Sequence, residues 1–306
     1  MLLVIAPLLI TLLQTRMPSP AISCVAVASH RRLPPVRALD LPFGMADAGG
    51  AKQGTAAPAL PRDAFSELKS RGFAVVPGFV PEGSVDAILN DMSKLRTEGR
   101  FSKAGVGESS TNRLDDLVRE CEQCFLFPKY KHQGGGDSDG RSTLYGMLDS
   151  VREQLSAGCG VALDPLLTEG LYARYPHGGF YRRHIDAVQG TASDQRQWSY
   201  LLYLNKDWAA TDGGCLRIHT DGGGEVAPAG AAPSYVDVEP RAGTLVLFRS
   251  TIAHEVLDTA AQRMAVAGWF NTPVEGSSTR RTLIAGLAGA LLVGSGVKSL
   301  LGGEKD

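Results

Sequence analysis

Short runs of alternating apolar and polar residues, separated by turn residues, characterise the sequence between residues 171 and 272. Successive side chains of a strand point to opposite faces, so this two-residue period predicts β-strands. Eight short strands at such spacing are typical of a two-sheet jelly roll. The predicted strands are Leu171–Tyr175, Phe180–Asp186, Trp198–Leu204, Gly214–His219, Tyr235–Val238, Thr244–Phe248, His254–Leu257 and Arg263–Asn271.

A helical period precedes these strands. Residues 62–71 and 81–95 predict two helices, and the run 72–80 between them predicts a strand with a turn. The second helix places Val85, Ile88, Leu89 and Met92 on one apolar face. The predicted fold class is mainly β (α+β): a double-stranded β-helix (jelly roll, cupin-like) core with supporting N-terminal helices.

Residues 98–142 are polar and, toward their end, rich in glycine, which predicts a surface loop. Cys121 and Cys124 form a single Cys-x-x-Cys pair within this stretch. A zinc site needs further ligands at a suitable spacing, so we interpret both as partly buried helical cysteines. The chain has only 5 cysteines, too few to define a disulfide scaffold in a domain of this size.

Length and charge limit the classes of function. The chain has 306 residues, 43% of them hydrophobic and 21% charged, which is enough for one sizeable core with extensions. A net charge of -1 and a pI near 6.6 show no overall basic character, so no nucleic-acid partner is expected. We expect one folded domain over residues 61–275, with helical support and loops at 61–165 and the jelly-roll core at 171–272.

The two ends of the chain differ from this domain. The first 39 residues contain no Asp or Glu, and they combine an apolar run, residues 2–13, with several arginines. This composition predicts a targeting sequence, for the secretory pathway or for an organelle of the plastid type, or else an uncleaved signal anchor. Residues 41–60 are rich in Ala, Gly and Pro and form the predicted linker.

The C-terminal tail, residues 276–306, contains an apolar run from Leu283 to Val297 with several glycines. Glycine weakens a helix in water but is common in membrane helices. The run is at the lower length limit for a bilayer span. The sequence leaves open a membrane anchor and, alternatively, a helix packed on the barrel or in an oligomer contact; the oligomeric state is unknown.

Three residues have the pattern of a metal site. His184 and Asp186 are two residues apart on a predicted strand and therefore point to the same face. With His254 from a later strand they form a two-His, one-carboxylate set, which binds Fe(II) on one side and leaves positions open. Taken alone, the His-x-Asp motif would favour a surface or hydrogen-bonded histidine over a metal ligand.

Arg263 strengthens the metal hypothesis. Strand alternation places it on one face with Ala265, Ala267 and Trp269. An inward arginine between small side chains is an unpaired charge unless an anion binds, and a guanidinium binds a carboxylate through two parallel hydrogen bonds. The alternative is an outward-facing arginine on an edge strand.

These residues resemble the prolyl 4-hydroxylase group of 2-oxoglutarate/Fe(II) dioxygenases, in particular its oxygen-sensing, hypoxia-factor-type branch. An arginine at the co-substrate position separates that branch from collagen-type enzymes, which have lysine there. The matching motifs keep their order over about a hundred residues. They are Tyr175–Pro176, Arg183–Asp186, Tyr203–Trp208, Gly213–Ile218, Val238–Pro240, His254–Val256 and Arg263.

The resemblance implies a function and further site residues. It implies hydroxylation of a prolyl residue in a protein or peptide, with Fe(II), 2-oxoglutarate and O2, release of succinate and CO2, and ascorbate as reductant. It places Tyr175, Tyr203 and Leu216 around the co-substrate, with Arg263 on its distal carboxylate, and Arg196 near the substrate groove.

Two departures from that branch and two alternatives remain. Ala267 and Ala187 replace a threonine and an asparagine of the branch, so oxygen sensing is not carried over.

The same chemistry on another residue or a small molecule is one alternative. A catalytically idle barrel that binds a partner is the other, although the intact His184, Asp186, His254 and Arg263 favour an enzyme.

Overall fold

The computed structural model describes residues 58–107, 113–127, 133–165, 168–220 and 234–273. Within these ranges it contains the helices α1 (Arg62–Ser70), α2 (Glu82–Thr97) and α3 (Ser138–Cys159). The strands are β1 (Phe73–Val76), β2 (Ser102–Lys103), β3 (Arg119–Glu120), β4 (Glu122–Leu126), β5 (Thr168–Tyr175), β6 (Phe180–His184), β7 (Arg196–Tyr203), β8 (Leu216–His219), β9 (Tyr235–Val238), β10 (Leu245–Arg249), β11 (His254–Val256) and β12 (Arg263–Asn271).

The strands form two facing antiparallel sheets. The larger has 7 strands in the order β1-β10-β7-β12-β5-β4-β2, and the smaller has 5 in the order β3-β6-β11-β8-β9. This is the double-stranded β-helix expected from the sequence, so the predicted fold class is confirmed. All eight predicted barrel strands are present, although β6 ends at His184 and not at Asp186. There the backbone leaves its partner strand, and the Asp186 amide donates to the Ser250 carbonyl at 2.9 Å.

The first two helices and β1 lie where the sequence predicted them. The strand β1 extends the edge of the larger sheet by pairing with β10, with Phe73 opposite Phe248. The helices α2 and α3 pack on the outer face of that sheet and share its main hydrophobic core. A buried polar contact joins these layers: Asp91 of α2 accepts hydrogen bonds from Arg141 of α3 and from the Tyr172 hydroxyl of β5.

The prediction of a loop over residues 98–142 was wrong in part. This region contributes β2, β3 and β4 to the two sheets, and α3 already begins at Ser138. The Asp137 side chain caps that helix by accepting from the Gly140 amide at 2.9 Å. An apolar stripe of α3 at helical spacing faces the core: Leu144, Leu148, Val151 and Leu155.

The interpretation of Cys121 and Cys124 as helical cysteines was also wrong. Cys124 is part of β4, and Cys121 lies between β3 and β4. Both side chains are fully buried and both thiols are free. Two residues three apart on a strand point to opposite faces, so these thiols enter different cores.

Several predictions concern residues outside the described ranges. They are the targeting sequence, most of the linker, and the C-terminal tail with its predicted membrane anchor. Among the helices of the described ranges, none is both long and apolar enough to cross a bilayer.

Candidate metal centre

The structure brings together the three predicted metal ligands. His184 ends β6, Asp186 follows it, and His254 begins β11, where it pairs directly with His184 across the smaller sheet. The ligand atoms of the three side chains all lie within 4.8 Å of one another. His184 Nε2 is 3.6 Å from Asp186 Oδ1, and His254 Nε2 is 3.5 Å from Oδ2.

Hydrogen bonds hold both imidazoles in the orientation that a metal requires. The Nδ1 atoms of His184 and His254 each lie 2.9 Å from a backbone carbonyl, that of Arg182 and that of Ile252. If each Nδ1 donates its proton there, each Nε2 is left with a lone pair that points toward Asp186. The Ser199 hydroxyl donates to Asp186 Oδ2 at 2.7 Å and fixes the carboxylate.

The protonation states suit a divalent cation. Burial, together with the adjacent His254 imidazole, lowers the pKa of His184 to about 3, so this ring is neutral at physiological pH. Burial alone would raise the pKa of Asp186, but the two imidazoles and the Ser199 hydroxyl outweigh it, and the pKa is lowered. Neutral imidazoles and an ionised carboxylate are the forms that bind Fe(II).

Arg263 supplies a buried cation next to this cluster. It is 0% exposed, and its Nε donates to the Gly214 carbonyl at 2.9 Å. Within the described part of the chain, neither of its two terminal nitrogens has a hydrogen-bond partner, and the same holds for the Tyr203 hydroxyl. A buried guanidinium without a partner is costly, so this arrangement fits an anionic ligand.

Two tyrosines border the guanidinium. Its central carbon lies 4.9 Å from the ring centre of Tyr175 and 5.0 Å from that of Tyr203. Burial raises the pKa of Tyr203 to about 12, so its phenol stays protonated and can donate a hydrogen bond. The positively charged Arg263 and the Tyr203 hydroxyl thus face the same space, as the carboxylate of 2-oxoglutarate would require.

One cavity of about 280 Å³ connects the metal cluster with Arg263. Leu216 and Ala267 form part of its wall, and the small side chain of Ala267 leaves room beside the guanidinium. Toward solvent the cavity is bordered by three apolar side chains that are unusually exposed for their type: Phe125 (58%), Ile185 (39%) and Val188 (44%). The site is therefore polar at its base, and these three side chains make part of its mouth apolar.

Arg196 lies on this cavity, but its guanidinium is already engaged. It donates to Glu169 at 3.0 Å and to the Asp186 carbonyl at 3.2 Å, and it stacks on the Trp269 ring at 3.6 Å. These contacts hold the backbone of a metal ligand. The predicted substrate role of Arg196 stays a prediction.

Sequence reasoning missed Ser199. It lies on β7, four residues before Tyr203 and on the same face of the strand. That alternation was a usable signal, because an inward serine on a strand beside a metal ligand needs a polar partner.

The fold is a jelly roll, and the site has the two-histidine, one-carboxylate arrangement that non-haem iron oxygenases use. Residues 170–271 match the family model of the 2OG-Fe(II) oxygenase superfamily. A solved prolyl-4-hydroxylase from Pseudomonas putida is 27% identical, with a TM-score of 0.55, and the match covers 69% of this chain and 98% of that one.

Two further structures share the fold. A prolyl hydroxylase from Trichoplax adhaerens, solved with a hypoxia-inducible-factor peptide fragment, is 23% identical with a TM-score of 0.55; the match covers 68% of this chain and 87% of that one. The carbocyclase SnoK from nogalamycin biosynthesis is 13% identical with a TM-score of 0.51, covering 71% and 86%.

These findings confirm the resemblance found in the sequence: residues 170–271 match the 2OG-Fe(II) oxygenase superfamily, and the structure is similar to that of a prolyl 4-hydroxylase. Enzymes of the matched superfamily use Fe(II), 2-oxoglutarate and O2, and His184, Asp186 and His254 form a cluster that could hold the iron.

Proposed function

We propose that the protein is a dioxygenase that hydroxylates a prolyl residue of a protein or peptide, and that succinate and CO2 leave as co-products. The observation that carries the oxygenase part is the pair of unpartnered Arg263 nitrogens in the same cavity as the His184, Asp186 and His254 cluster. The choice of a prolyl residue as the substrate is supported by the 27% identity to the Pseudomonas putida prolyl-4-hydroxylase, which holds over nearly the whole length of that enzyme.

Each residue has a distinct task in this proposal. His184, Asp186 and His254 would hold Fe(II) through one face, and Arg263 with Tyr203 would bind the distal carboxylate of 2-oxoglutarate. When bound, iron and 2-oxoglutarate supply the power to oxidise an unactivated C–H bond with O2. The protein contributes orientation and exclusion of water, since Arg263, Tyr175 and Tyr203 are almost fully buried.

A peptide substrate suits the mouth of the cavity. Phe125, Ile185 and Val188 expose apolar surface there, and exposed apolar surface around a cleft often marks a binding site. Tyr181 and Trp269 form aromatic walls closer to the cluster, and the Tyr181 ring stacks on His184 with 3.6 Å between ring centres. A pyrrolidine ring between such walls would present a C–H bond to the metal face.

The test measures two products at once. The purified full-length chain is incubated with Fe(II), 2-oxoglutarate, ascorbate and O2, with and without a pool of proline-containing peptides. Succinate is quantified, and each peptide is examined by tandem mass spectrometry for one added oxygen atom on proline. We expect peptide-stimulated succinate and hydroxyproline.

A pair of histidine variants provides the control. His184→Ala should abolish both products. His219→Ala should leave them unchanged, because His219 lies on β8 and contacts Glu255 at 3.1 Å, and it does not line the cavity. Succinate formation that no peptide stimulates would support the oxygenase activity but contradict a prolyl peptide as the substrate. No succinate from folded, iron-loaded protein would favour an idle binding barrel.

A further inference from the structure

Arg119 lies at the mouth of the cavity. Its guanidinium, the Tyr181 ring and the His184 imidazole stack in that order. Arg119 lies on β3 at the edge of the smaller sheet, next to β6. Its guanidinium covers the Tyr181 ring at 4.4 Å, and the other partner of that ring is the His184 imidazole at 3.6 Å. One aromatic ring therefore separates this cation from a candidate metal ligand.

The Arg119 guanidinium is not neutralised by any carboxylate of the described residues. Its Nε donates to the thiol sulfur of Cys121 at 2.9 Å, and its Nη1 makes a long 3.4 Å contact with the Gly105 carbonyl. Its Nη2 makes no hydrogen bond within the ranges that the structure covers. The contacts are thus with one neutral sulfur and one carbonyl, on a side chain that is only partly exposed.

The acidic residues nearest in sequence are paired with other cations. Asp115 contacts Arg113 at 3.2 Å, and Asp116 and Glu120 contact Lys103 at 2.8 and 3.1 Å. None of them neutralises Arg119. A partly buried arginine is normally paired with a carboxylate or phosphate, because removing its charge from water is costly.

Arg196 is a useful comparison, because it borders the same cavity and also stacks on an aromatic ring. Its charge is balanced by Glu169 at 3.0 Å, and each of its guanidinium nitrogens has an acceptor. Of these two arginines at the cavity, Arg119 is the one with charge and donors available to a ligand that enters from solvent.

We propose that Arg119 binds a carboxylate of the substrate, and that the preferred substrate is a peptide with an aspartate or glutamate close to the hydroxylated residue. This specificity rests on the proposed peptide substrate. An extended chain advances about 3.3–3.6 Å per residue, so an acidic residue within two or three positions of the target reaches Arg119 from the metal cluster. In this proposal, apolar residues of the peptide next to its acidic residue contact Phe125, whose ring is mostly exposed at the same mouth.

The probes are fluorescein-labelled peptide sets, identical except that the acidic position is Asp, Asn or Lys. Binding is measured by fluorescence anisotropy on the full-length chain, loaded with Mn(II) and 2-oxoglutarate without O2, and hydroxylation of the same peptides is measured with Fe(II) and O2. We expect the Asp peptide to bind about 10- to 100-fold more tightly than the Asn peptide, as for a charge-assisted hydrogen bond.

Two variants and one matched control complete the design. Arg119→Met keeps an apolar stem over Tyr181 and should abolish the preference for Asp while leaving 2-oxoglutarate affinity unchanged. Arg119→Glu should reverse the preference in favour of Lys. Arg182→Met is the control, because Arg182 also stacks on an aromatic ring, Phe180 at 3.7 Å, but does not line the cavity; it should keep the preference for Asp.

The outcomes separate this proposal from the prolyl one. Equal binding of the Asp and Asn peptides, or a preference that survives in Arg119→Met, would overturn the role of Arg119. Equal hydroxylation of the Asp and Asn peptides would also overturn the role of Arg119, but it would leave the proposed prolyl hydroxylation standing. Arg119-dependent binding of Asp peptides without hydroxylation would support the carboxylate site and remove the prolyl reaction.

Discussion

Ser199 donates its hydroxyl proton to Oδ2 of Asp186 at 2.7 Å, although thirteen positions separate the two residues in the chain. The Ser199 oxygen also lies 3.0 Å from the hydroxyl oxygen of Ser250, and both serines are buried. The backbone of Ser250 accepts from the amide of Asp186 at 2.9 Å. The only carboxylate of the candidate metal cluster is therefore held through its side chain by β7 of the larger sheet and through its backbone by the turn that follows β10.

Removing this hydroxyl should weaken metal binding without unfolding the barrel. In Ser199→Ala the carboxylate loses a fixed donor, and partners of this kind are worth about 10- to 100-fold in metal affinity. We expect the apparent Fe(II) dissociation constant of Ser199→Ala to rise by that factor, measured by anaerobic titration. Ser250→Ala removes a hydroxyl that contacts Ser199 and not the carboxylate, so it should change the Fe(II) dissociation constant less. An unchanged affinity in Ser199→Ala would contradict a supporting role for Ser199.

Arg263 should contribute to co-substrate binding and not to the stability of the free protein. A ligand present at 100 times its dissociation constant stabilises a protein by about 2.7 kcal/mol. We expect 2-oxoglutarate with Mn(II) to raise the Tm of the wild-type chain but not that of Arg263→Gln. Without ligand, Arg263→Gln should unfold at or above the wild-type temperature, because a buried charge without a partner is removed.

Thermal unfolding with and without 2-oxoglutarate measures both effects. Arg217→Gln is the control, since Arg217 pairs with Asp237 at 2.8 Å on the smaller sheet and lies outside the cavity. It should retain the full response to the co-substrate. A wild-type-sized response in Arg263→Gln would place the carboxylate site elsewhere.

The sequence was most informative where one physical constraint dominated. Period-two alternation located the barrel strands, and the same alternation placed His184 with Asp186 and directed Arg263 inward. A buried strand tolerates such residues only when they have a ligand or a partner, so their positions carry chemical meaning.

The residues that the sequence did not reveal depend on contacts between distant segments. Arg119 gains its role from Tyr181, which belongs to a neighbouring strand, and nothing in its own segment distinguishes it from other arginines. Cys121 and Cys124 were placed in a helix because the polar residues around them hid the two-residue strand β3 and the five-residue strand β4. Strands of two residues exist only through tertiary pairing, so local propensity cannot identify them.

Two glycines should respond in opposite directions to the same substitution. At Gly268 of β12 an added Cβ would collide with the Glu169 carbonyl and the Tyr200 hydroxyl, which are themselves hydrogen-bonded at 2.8 Å. At Gly146 of α3 nothing lies within 4 Å of an added Cβ. Overpacking costs about 1–3 kcal/mol, so Gly268→Ala should destabilise the protein by at least that amount.

Gly146→Ala should stabilise the protein by about 0.5–1 kcal/mol, because alanine is the better helix former at an exposed helical position. Denaturant unfolding followed by circular dichroism measures both variants against the wild type. A neutral Gly268→Ala would mean that β5 and β12 can separate at this point without loss, which the close approach of Gly268 to Glu169 argues against.

The buried contact between Asp91 and Arg141 should be the main polar link between the helices and the barrel. Asp91 is 0% exposed and also accepts from the Tyr172 hydroxyl at 2.8 Å, so Arg141→Leu leaves a buried carboxylate without its counter-ion. Loss of one partner of a buried pair costs about 3–5 kcal/mol. Asp91→Asn combined with Arg141→Leu should recover at least half of this loss, because the amide carries no charge, its oxygen still accepts from the Asp137 backbone amide, and its NH2 group can donate to the Tyr172 hydroxyl oxygen. Arg71→Leu, which breaks an exposed pair with Glu67, should cost no more than about 1 kcal/mol in the same urea titration. If the double variant is no more stable than Arg141→Leu, the loss arises from packing of the arginine side chain and not from the uncompensated charge.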